Sequence, residues 1–368
     1  VKYIGVNTKE DDDTGWTAVQ DILENQTATY GLSLLTDKAS IIGSFGTHCT
    51  QMSVADEHGW RVCIGGTPLV TEKDIIEQSS TGEIYSDGDT LYLRDNEQDF
   101  LTDGVSPADR IEVASPSAVT GSYTVETVVN GNIVQPTPEN PFTQTASNVT
   151  YTIERDLSKE QQAEEIASVI DSYNNKRVMI VWPDEIETNN EVVPGYFASA
   201  IIAGMIAGLP PHQGFTNLGI GGVSKLYHSN TYFKKSQLNK IAEAGGLIFV
   251  QDAPGALPYI RHQLTTDTQF VETQELSVVK NFDHLSYYFF DVLKPFIGAY
   301  NITDRTQKLV DQSIELAAEA KMKAELPRIG APLKSYTMVD PDVVSSSDEI
   351  DKGVKLDLPK PLNKLNLY

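Results

Sequence analysis

The stretch AIIAGMIAGLPPHQGFTNLGIGG, at residues 200–222, has the residue types of a phosphate-binding loop. Its closing segment GIGG, at 219–222, leads into Val-Ser-Lys. A P-loop needs four residues between its first glycine and a Gly-Lys-Ser/Thr triplet, and a dinucleotide fingerprint needs GxGxxG between a strand and a helix. Neither spacing is present. The glycines are therefore predicted to form turns and close backbone approaches instead of a phosphate site.

Two acidic segments, KEDDDTG at 9–15 and SDGDTLYLRDNEQD at 86–99, raise the question of Ca²⁺ binding. An EF-hand frame that starts at Glu10 has an atypical first ligand and places Trp16 at its seventh position. Helix-dipole stabilisation accounts for the first segment and turn formation for the second. The six histidines (48, 58, 212, 228, 262 and 284) show no HxH, HExxH or Cys/His ligand spacing. No metal site is predicted.

Catalytic residues are equally hard to identify. The chain has no GxSxG nucleophile elbow. Arg261 and His262, in a predicted strand, have the charge to hold an anion, although pairing of Arg261 with a neighbouring carboxylate is favoured. The chain is therefore predicted not to be an enzyme and to need no cofactor. A doubly wound α/β enzyme that binds an anionic small molecule near 210–222 stays open as an alternative.

The charge balance restricts the partners. Acidic residues outnumber basic ones by 51 to 28, which gives the 368-residue chain a formal net charge of −23. This charge repels nucleic acid and anionic lipid, so neither nucleic-acid binding nor membrane insertion is predicted. The apolar runs are shorter than the roughly 20 residues that cross a bilayer. Cys49 and Cys63 are predicted to be buried free thiols in a cytosolic protein.

The order of patterns predicts an α/β fold, α+β overall, with mixed sheets and flanking helices, a β-rich insertion and terminal extended strands. Helices and strands alternate over 16–75, whereas short β-rich runs follow one another from about Ser79 to Glu154. The predicted parts are an α/β part of the core, a protruding β-rich insertion domain, a continuation of the core, and a C-terminal α/β domain with an acidic linker and a strand arm. Their respective bounds are 1–78, 79–154, 155–235 and 236–368.

Several local signals specify elements within these parts. Asn130-Gly131 has the residues of a type I′ hairpin turn. Ser158 starts a capping box. A strand is predicted at ELSVV (275–279), followed by helices over about 284–300 and 304–326.

In the opening stretch, small residues permit close packing of a helix and two prolines stop it, after which Asn and Gly shape a long loop. The residues assigned to this packing and loop role are Gly204, Gly208, Pro210, Pro211, Asn217 and Gly219.

The tail differs from the rest of the chain. A Ser-rich acidic link at 340–351 leads to VKLDL and NKLNLY, in which apolar and polar residues alternate as in strands. The apolar members are Val354, Leu356, Leu358, Leu365 and Leu367. Such a strand either folds back onto its own sheet or is added to the sheet of another chain, and the pattern leaves both open.

Three quoted segments together resemble the sheath protein of contractile bacteriophage tails, a family related to the sheaths of pyocin-like particles and type VI secretion systems. The first is VVPGYFASAIIAGMIAGLPPHQGFTNLGIGGV, similar to the family's Ala/Gly-rich helix and the loop after it. The second is SQLNKIAEAGGLIFVQDAPGALPYIRHQLTTD, similar to its helix, strand and hairpin. The third is the long-helix pair with KGVKLDLPKPLNKLNLY, similar to its closing arm. Residues 155–368 match in order and 1–75 match more loosely.

This resemblance implies a structural protein without cofactor chemistry. Sheath subunits form stacked hexameric rings around a tail tube, joined by terminal strands that extend a neighbour's sheet, and they contract to drive the tube through the host envelope. The implied partners are other copies of the chain, the tube protein, and baseplate and terminator proteins. The implied location is the virion tail, with assembly in the host bacterial cytoplasm. The chain is expected to be a fragment without its N-terminal part. A non-contractile interaction module remains a further alternative.

Overall fold

The computed structural model describes residues 5–6, 13–26, 28–54, 57–227, 233–253, 255–339, 350 and 352–362. Its helices are α1 (Asp13–Glu24), α2 (Ala39–Met52), α3 (Lys159–Asp171), α4 (Ala198–Gly208), α5 (Lys235–Glu243), α6 (Val271–Gln274), α7 (Leu276–Leu293) and α8 (Asp304–Lys323). Short 3₁₀ helices cover Gly195–Phe197 and Lys294–Phe296.

The strands up to residue 156 are β1 (Gly31–Ser33), β2 (Val62–Gly66), β3 (Lys73–Asp87), β4 (Thr90–Arg94), β5 (Arg110–Ser115), β6 (Gly121–Asn130), β7 (Ile133–Pro136) and β8 (Ala146–Asp156). The later strands are β9 (Val178–Trp182), β10 (Glu185–Thr188), β11 (Glu191–Pro194), β12 (Lys225–Leu226), β13 (Gly246–Val250), β14 (Tyr259–His262), β15 (Ser335–Val339) and β16 (Gly353–Asp357). Helices and mixed sheets together confirm the predicted fold class.

The described residues divide into two compact units. Unit 1 contains the chain up to Leu69 and from Ala163 onward, and unit 2 contains Val70–Gln162. The division of the chain into four functional parts remains a prediction.

A five-stranded sheet forms the centre of unit 1, in the order β1-β2-β9-β13-β14. The first four strands are parallel and β14 is antiparallel to β13. Every residue of β2, β9 and β13 is buried. Parallel strands covered on both faces need continuous apolar runs, which explains the sequences VCIGG, VMIVW and GLIFV.

Glycines in β2 allow other elements to approach the sheet closely. A Cβ atom at Gly65 would lie 2.6 Å from the Ile42 side chain of α2. At Gly66 it would lie 2.6–2.8 Å from the N, Cα and Cβ atoms of Tyr196, in the first 3₁₀ helix. Ile64, which precedes these glycines in β2, and Ile202 of α4 belong to the same buried apolar core. Helix α2 and the first 3₁₀ helix therefore approach the sheet closely at the two glycines of β2.

Unit 2 is a closed barrel of six strands in the order β3-β4-β7-β6-β5-β8. Its apolar core includes Phe100, Ile111 and Ile153. Inside it, the buried Asp95 carboxylate accepts hydrogen bonds from the hydroxyls of Ser79, Thr81 and Tyr151. The unit has its own core and its own buried polar network.

The two ends of unit 2 lie side by side. The Leu157 N–H donates to the Glu72 carbonyl at 2.9 Å, and Lys73 pairs with Asp156 in the β3–β8 ladder. Ser158 forms the predicted capping box at the start of α3, since its hydroxyl accepts from the Gln161 N–H and its own N–H donates to Gln161 Oε1.

Two local predictions are wrong. The β6–β7 hairpin is present, but its turn residues are Gly131 and Asn132, and neither they nor Asn130 have positive φ. It is therefore not a type I′ turn, which needs positive φ at both central residues. The segment ELSVV starts helix α7 instead of forming a strand. Its buried apolar residues Leu276 and Val279 are three residues apart, a spacing that places both on one helical face.

Candidate functional site

The C-terminal β15 and β16 form a two-stranded antiparallel sheet, which we call the ribbon (335–339 and 353–357). Its register runs from Ser335 opposite Asp357 to Val339 opposite Gly353. Lys355 and Asp357 are exposed, whereas Val354 and Leu356 are half-buried. The alternation of apolar and polar residues thus gives the ribbon one inner and one outer face.

The inner face packs on the last two long helices. Tyr336, Leu356 and Leu358 contact the buried cluster of Leu285 in α7, Ala318 in α8 and Leu333.

Two ion pairs hold the chain on either side of β16. Lys352 lies 2.9 Å from Asp311 in α8, and Lys360 lies 2.5 Å from Glu272 in α6. Solvent screens both pairs, because their side chains are partly or largely exposed, so they contribute little to stability. Apolar packing is therefore the main anchor of the ribbon.

The residues predicted to form an intersubunit arm divide at the limit of the described chain. Val354 and Leu356 lie in β16 and Leu358 follows it. Leu365 and Leu367 lie outside the described residues, as does most of the acidic link 340–351. β16 pairs with β15 of its own chain, which corresponds to the fold-back, one of the two alternatives that the pattern leaves open. The intersubunit role of these residues remains a prediction.

Both outer edges of the ribbon lack a partner strand within the described ranges. An edge strand presents a row of backbone N–H and C=O groups that can pair with another chain. The ribbon is thus an anchored two-stranded element with backbone hydrogen-bonding capacity left on each side.

Helix α4 ends at Gly208, immediately before the Leu209-Pro210-Pro211 segment, as expected from the prolines. Gly204 and Gly208, however, do not serve close packing here, because a Cβ atom at either would meet no described atom within 4 Å. Both glycines are exposed. At Gly31 of β1, which packs on this helix, a Cβ atom would lie 3.6 Å from the Ile206 side chain, an ordinary van der Waals distance.

The loop after α4 runs along β14. Asn217 has a φ of 62° and its N–H donates to the Ile260 carbonyl at 2.7 Å. Ile220 donates to the Pro258 carbonyl at 2.8 Å. A Cβ atom at Gly219 would lie 2.6 Å from Leu257. This part of the opening stretch therefore makes turns and close backbone approaches, and it extends the edge of the sheet.

The predicted carboxylate partner belongs to His262, not to Arg261. The His262 Nε2 atom lies 2.6 Å from Glu275 Oε1. Arg261 Nη2 donates to the Asn239 side-chain oxygen, and burial lowers the pKa of its guanidinium. Neither side chain lines the cavity between β1, α4 and α7.

A buried ion pair joins two elements of unit 1. Both Nη atoms of Arg177, just before β9, donate to the Asp283 carboxylate in α7. Arg177 is 4% exposed and Asp283 is fully buried. Tyr30 also donates to Asp283 at 2.7 Å, and burial, followed by the Asp283 charge, raises the pKa of its hydroxyl. Sequence reasoning missed this site because its members are far apart along the chain.

Motif reasoning also missed an SxxK spacing, Ser277-Val-Val-Lys280, at the start of α7. In some hydrolases this spacing joins a serine nucleophile to a lysine base. Here the Ser277 hydroxyl is buried and accepts a hydrogen bond from Gln263 Nε2 at 2.8 Å. No hydrogen bond joins Ser277 to Lys280 among the described residues, so the spacing does not amount to an activated nucleophile.

Large apolar side chains are exposed along α6, α7, α8 and their connections, a composition that interaction surfaces share. They are Phe270, Val271, Phe282, Ile297, Tyr300, Ile302, Leu316, Met322 and Leu326. Cys49 and Cys63 are buried free thiols, as predicted. Within the described ranges, no group of three or more His, Cys, Asp or Glu side chains is arranged to hold a metal ion. No described helix combines the length and the apolar character that crossing a membrane requires.

Comparison with known proteins gives structural matches only. No family model and no curated protein matches the sequence. The fold is similar to that of a protein in the contracted helical sheath of the anti-feeding prophage, with a TM-score of 0.50 and 11% identity over 100% of this chain and 76% of that one.

Two further solved structures are similar over smaller parts. The sheath tail protein of Desulfitobacterium hafniense has a TM-score of 0.40 and 10% identity over 76% of this chain and 81% of that one. A protein of the anti-feeding prophage baseplate has a TM-score of 0.42 and 14% identity. That match spans about half of each chain, 53% of this one and 55% of the baseplate protein. On the strength of the full-length match, the chain has the fold of a contractile-sheath protein.

Proposed function

We propose that the chain is a structural subunit of a contractile sheath of the phage-tail type. The observation that carries the proposal is the similarity of the whole described chain to a protein of a contracted helical sheath. In the proposed assembly, subunits form stacked hexameric rings around a tail tube and contract to drive the tube through the host envelope. The subunit acts by changing its contacts with neighbours and catalyses no reaction.

The proposed partners follow from this role. They are other copies of the chain, the tube protein, and baseplate and terminator proteins. The proposed location is the tail of a phage or phage-like particle that is assembled in the bacterial cytoplasm. The net charge of −23 makes neighbouring copies repel each other at long range, so short-range contacts have to supply the binding energy.

The ribbon is the proposed linker between copies. Its inner face is held by Leu356, Leu358 and Tyr336, whereas its edges have no partner in the described chain. Addition of a strand from a second copy would satisfy the backbone groups at an edge without disturbing the inner face. Such a link depends on backbone hydrogen bonds and can persist while the other contacts between subunits are exchanged during contraction.

Negative-stain electron microscopy of the full-length protein tests the sheath role. We expect tubular polymers or stacked rings. Small closed oligomers in every condition of salt, pH and concentration would contradict the proposal and favour a non-contractile interaction module.

A pair of variants tests the ribbon. Leu356→Asp places a charge against the cluster of Leu285, Ala318 and Leu333, so we expect the ribbon to detach and polymers to be lost. Thr337→Asp introduces the same residue and the same charge change at an exposed position of β15. We expect Thr337→Asp to polymerise like the wild type. Equal polymerisation of both variants would show that the ribbon does not link subunits.

A thermal melt of each variant separates detachment of the ribbon from unfolding of the protein. Leu356 is half-buried, and we expect Leu356→Asp to reduce the free energy of unfolding by about 1–3 kcal/mol while a cooperative transition remains.

A further inference from the structure

A cavity of about 650 Å³ lies in unit 1 between β1, α4 and α7. It is lined by Gln26, Ala28, Thr29, Tyr30, Gly31, Ala203, Ile206, Ala207, Pro211, Lys280, His284 and Tyr287. Cavities that hold small molecules have volumes of roughly 300–1,000 Å³, mostly apolar walls and a few convergent polar groups. This cavity has the size and the composition of such a site.

Lys280 is the charged residue in its wall. The side chain is 4% exposed, and its Nζ atom has no hydrogen-bond partner among the described residues. Nζ lies 4.4 Å from the centre of the Phe215 ring, which gives a cation–π contact. A buried ammonium without an acceptor is costly, and burial lowers the pKa of Lys280 to about 7.

The groups around Lys280 do not supply the missing negative charge. His212, in the loop after α4, and His284, in α7, are nitrogen bases whose pKa values are lowered by burial and then by neighbouring basic groups. Lys321 of α8 lies 3.1 Å from His284. The carboxylate of Asp283, three residues further along α7, accepts from Arg177 and Tyr30.

Among the described residues, none that lines the cavity is acidic, although the chain has 51 acidic residues. His212 is unsatisfied in a different sense, because the unpaired nitrogen of its neutral ring is an acceptor. Its Nε2–H donates to the Gly330 carbonyl at 3.0 Å, whereas its buried Nδ1 has no partner in the described ranges. The Lys280 region is therefore a basic, partly unsatisfied site in an otherwise acidic protein. An anion is the ligand that would complete it.

We propose that this cavity binds a small organic carboxylate, with the carboxylate at Lys280 and an apolar body against Ala203, Ile206 and Ala207. A single ammonium balances a single negative charge, which favours a carboxylate over a phosphate dianion. The four-carbon stem of the lysine lets Nζ turn from Phe215 towards the bound group. No bond is made or broken, and the inference does not depend on the sheath role.

Calorimetric titration with benzoate, which combines a carboxylate with an apolar ring, tests the site. We expect saturable binding to the wild type at pH 6.5 and at least tenfold weaker binding to Lys280→Met. Lys323→Met removes the same charge from an exposed lysine of α8 and is expected to bind like the wild type. Benzamide, which has the same shape without the charge, is expected not to bind.

The pH dependence provides a second test that uses only the wild type. Since binding needs the protonated lysine, benzoate affinity is expected to fall at least tenfold between pH 6.5 and pH 9. Burial also lowers the pKa values of His212, His284 and Lys321, and a rising pH can only remove positive charge from these groups, which acts in the same direction. Because this measurement needs no variant, it tests the site even if Lys280→Met does not fold.

Three results would each overturn the inference. The first is no saturable binding up to about 20 mM benzoate at pH 6.5. The second is equal affinity in the wild type and in folded Lys280→Met. The third is binding of inorganic phosphate as tight as that of benzoate.

Discussion

At the scale of single residues, the buried cations of unit 1 differ in how their charge is satisfied. Arg61 donates to the backbone carbonyls of Leu23 and Gly59, each at 2.9 Å. Arg177 pairs with Asp283. Lys280 contacts the face of Phe215, and its Nζ atom has no hydrogen-bond partner in the described part of the chain. Buried charges without hydrogen-bonded partners reduce stability, so the ammonium group of Lys280 lowers the free energy of unfolding.

This difference predicts a pH-dependent effect of Lys280→Met on stability. The lysine pKa is about 7 in the folded protein and about 10.4 in an unfolded chain, so the unfolded state binds the extra proton between these values. The contribution of Lys280 to the free energy of unfolding of the wild type therefore rises as the pH increases from about 7 to 10. We expect Lys280→Met to be more stable than the wild type by about 1–4 kcal/mol below pH 7.

The advantage of Lys280→Met should shrink towards pH 10, where the lysine is neutral in the folded protein and loses its charge in the unfolded one. Urea unfolding at pH 6, 8 and 10 measures it. A constant difference across this range, or a less stable variant at pH 6, would contradict the assignment of Lys280 as an unsatisfied charge.

The interaction partners of these charged side chains could not be predicted from the sequence. Arg177 and Asp283 are 106 positions apart, and nothing in either local sequence indicates that they meet. Arg261 was expected to pair with a carboxylate, but the fold places Asn239 beside it. Side-chain partners across long loops depend on the tertiary fold. The buried thiols, in contrast, follow from the general behaviour of free cysteine.

At the scale of elements, the two glycines of β2 allow other elements to approach the sheet closely. The frequent glycines of residues 200–222 predict a closely packed helix. A Cβ atom at Gly204 or Gly208, however, would meet no described atom within 4 Å. Gly65 and Gly66 stand in a short buried strand, where each side chain omitted leaves room for a covering element. The context of a glycine, more than its frequency, therefore determines whether it serves close packing.

We expect Gly66→Ala to destabilise the protein by about 1–3 kcal/mol, because the new methyl group would overlap the backbone of Tyr196. The matched control is Gly221→Ala. Gly221 is exposed, has no described atom within 4 Å of its Cβ position and does not have a positive φ, so its effect should stay within about 0.5 kcal/mol.

Chemical denaturation of both glycine variants gives the comparison. Similar losses of stability in the two variants would show that the contact with Tyr196 is not responsible.

Continuous apolar runs and specific local signals account for several elements. The buried strands β2, β9 and β13 and the capping box at Ser158 follow directly from their residues. ELSVV was misassigned because a short apolar run fits a strand and a helix equally. In the structure, the buried face of α7 continues beyond this run through the polar residues Lys280 and Asp283, and the apolar run alone does not indicate this. The β15 half of the ribbon was not anticipated either.

At the scale of the whole molecule, each of the two units has its own core. Unit 2 closes its strands into a barrel, so that it has no open sheet edge, and it buries Asp95 with three hydroxyl donors. A closed barrel with internal apolar and polar networks meets the requirements of an independently folding domain.

We therefore expect a polypeptide of residues 70–162 alone to fold cooperatively. Circular dichroism during heating should show a single transition, and Ile153→Asp, which places a charge in the barrel core, should abolish it. A wild-type polypeptide with no cooperative transition would show that the barrel depends on the rest of the chain.

The hydrogen bond between Leu157 and Glu72 has a consequence for how this protein can change. The chain enters and leaves the barrel at neighbouring positions, so an unrelated module with equally close ends could take its place without altering the path of the flanking chain. Gene rearrangement could thus exchange the inserted module as a cassette without rebuilding the surrounding fold.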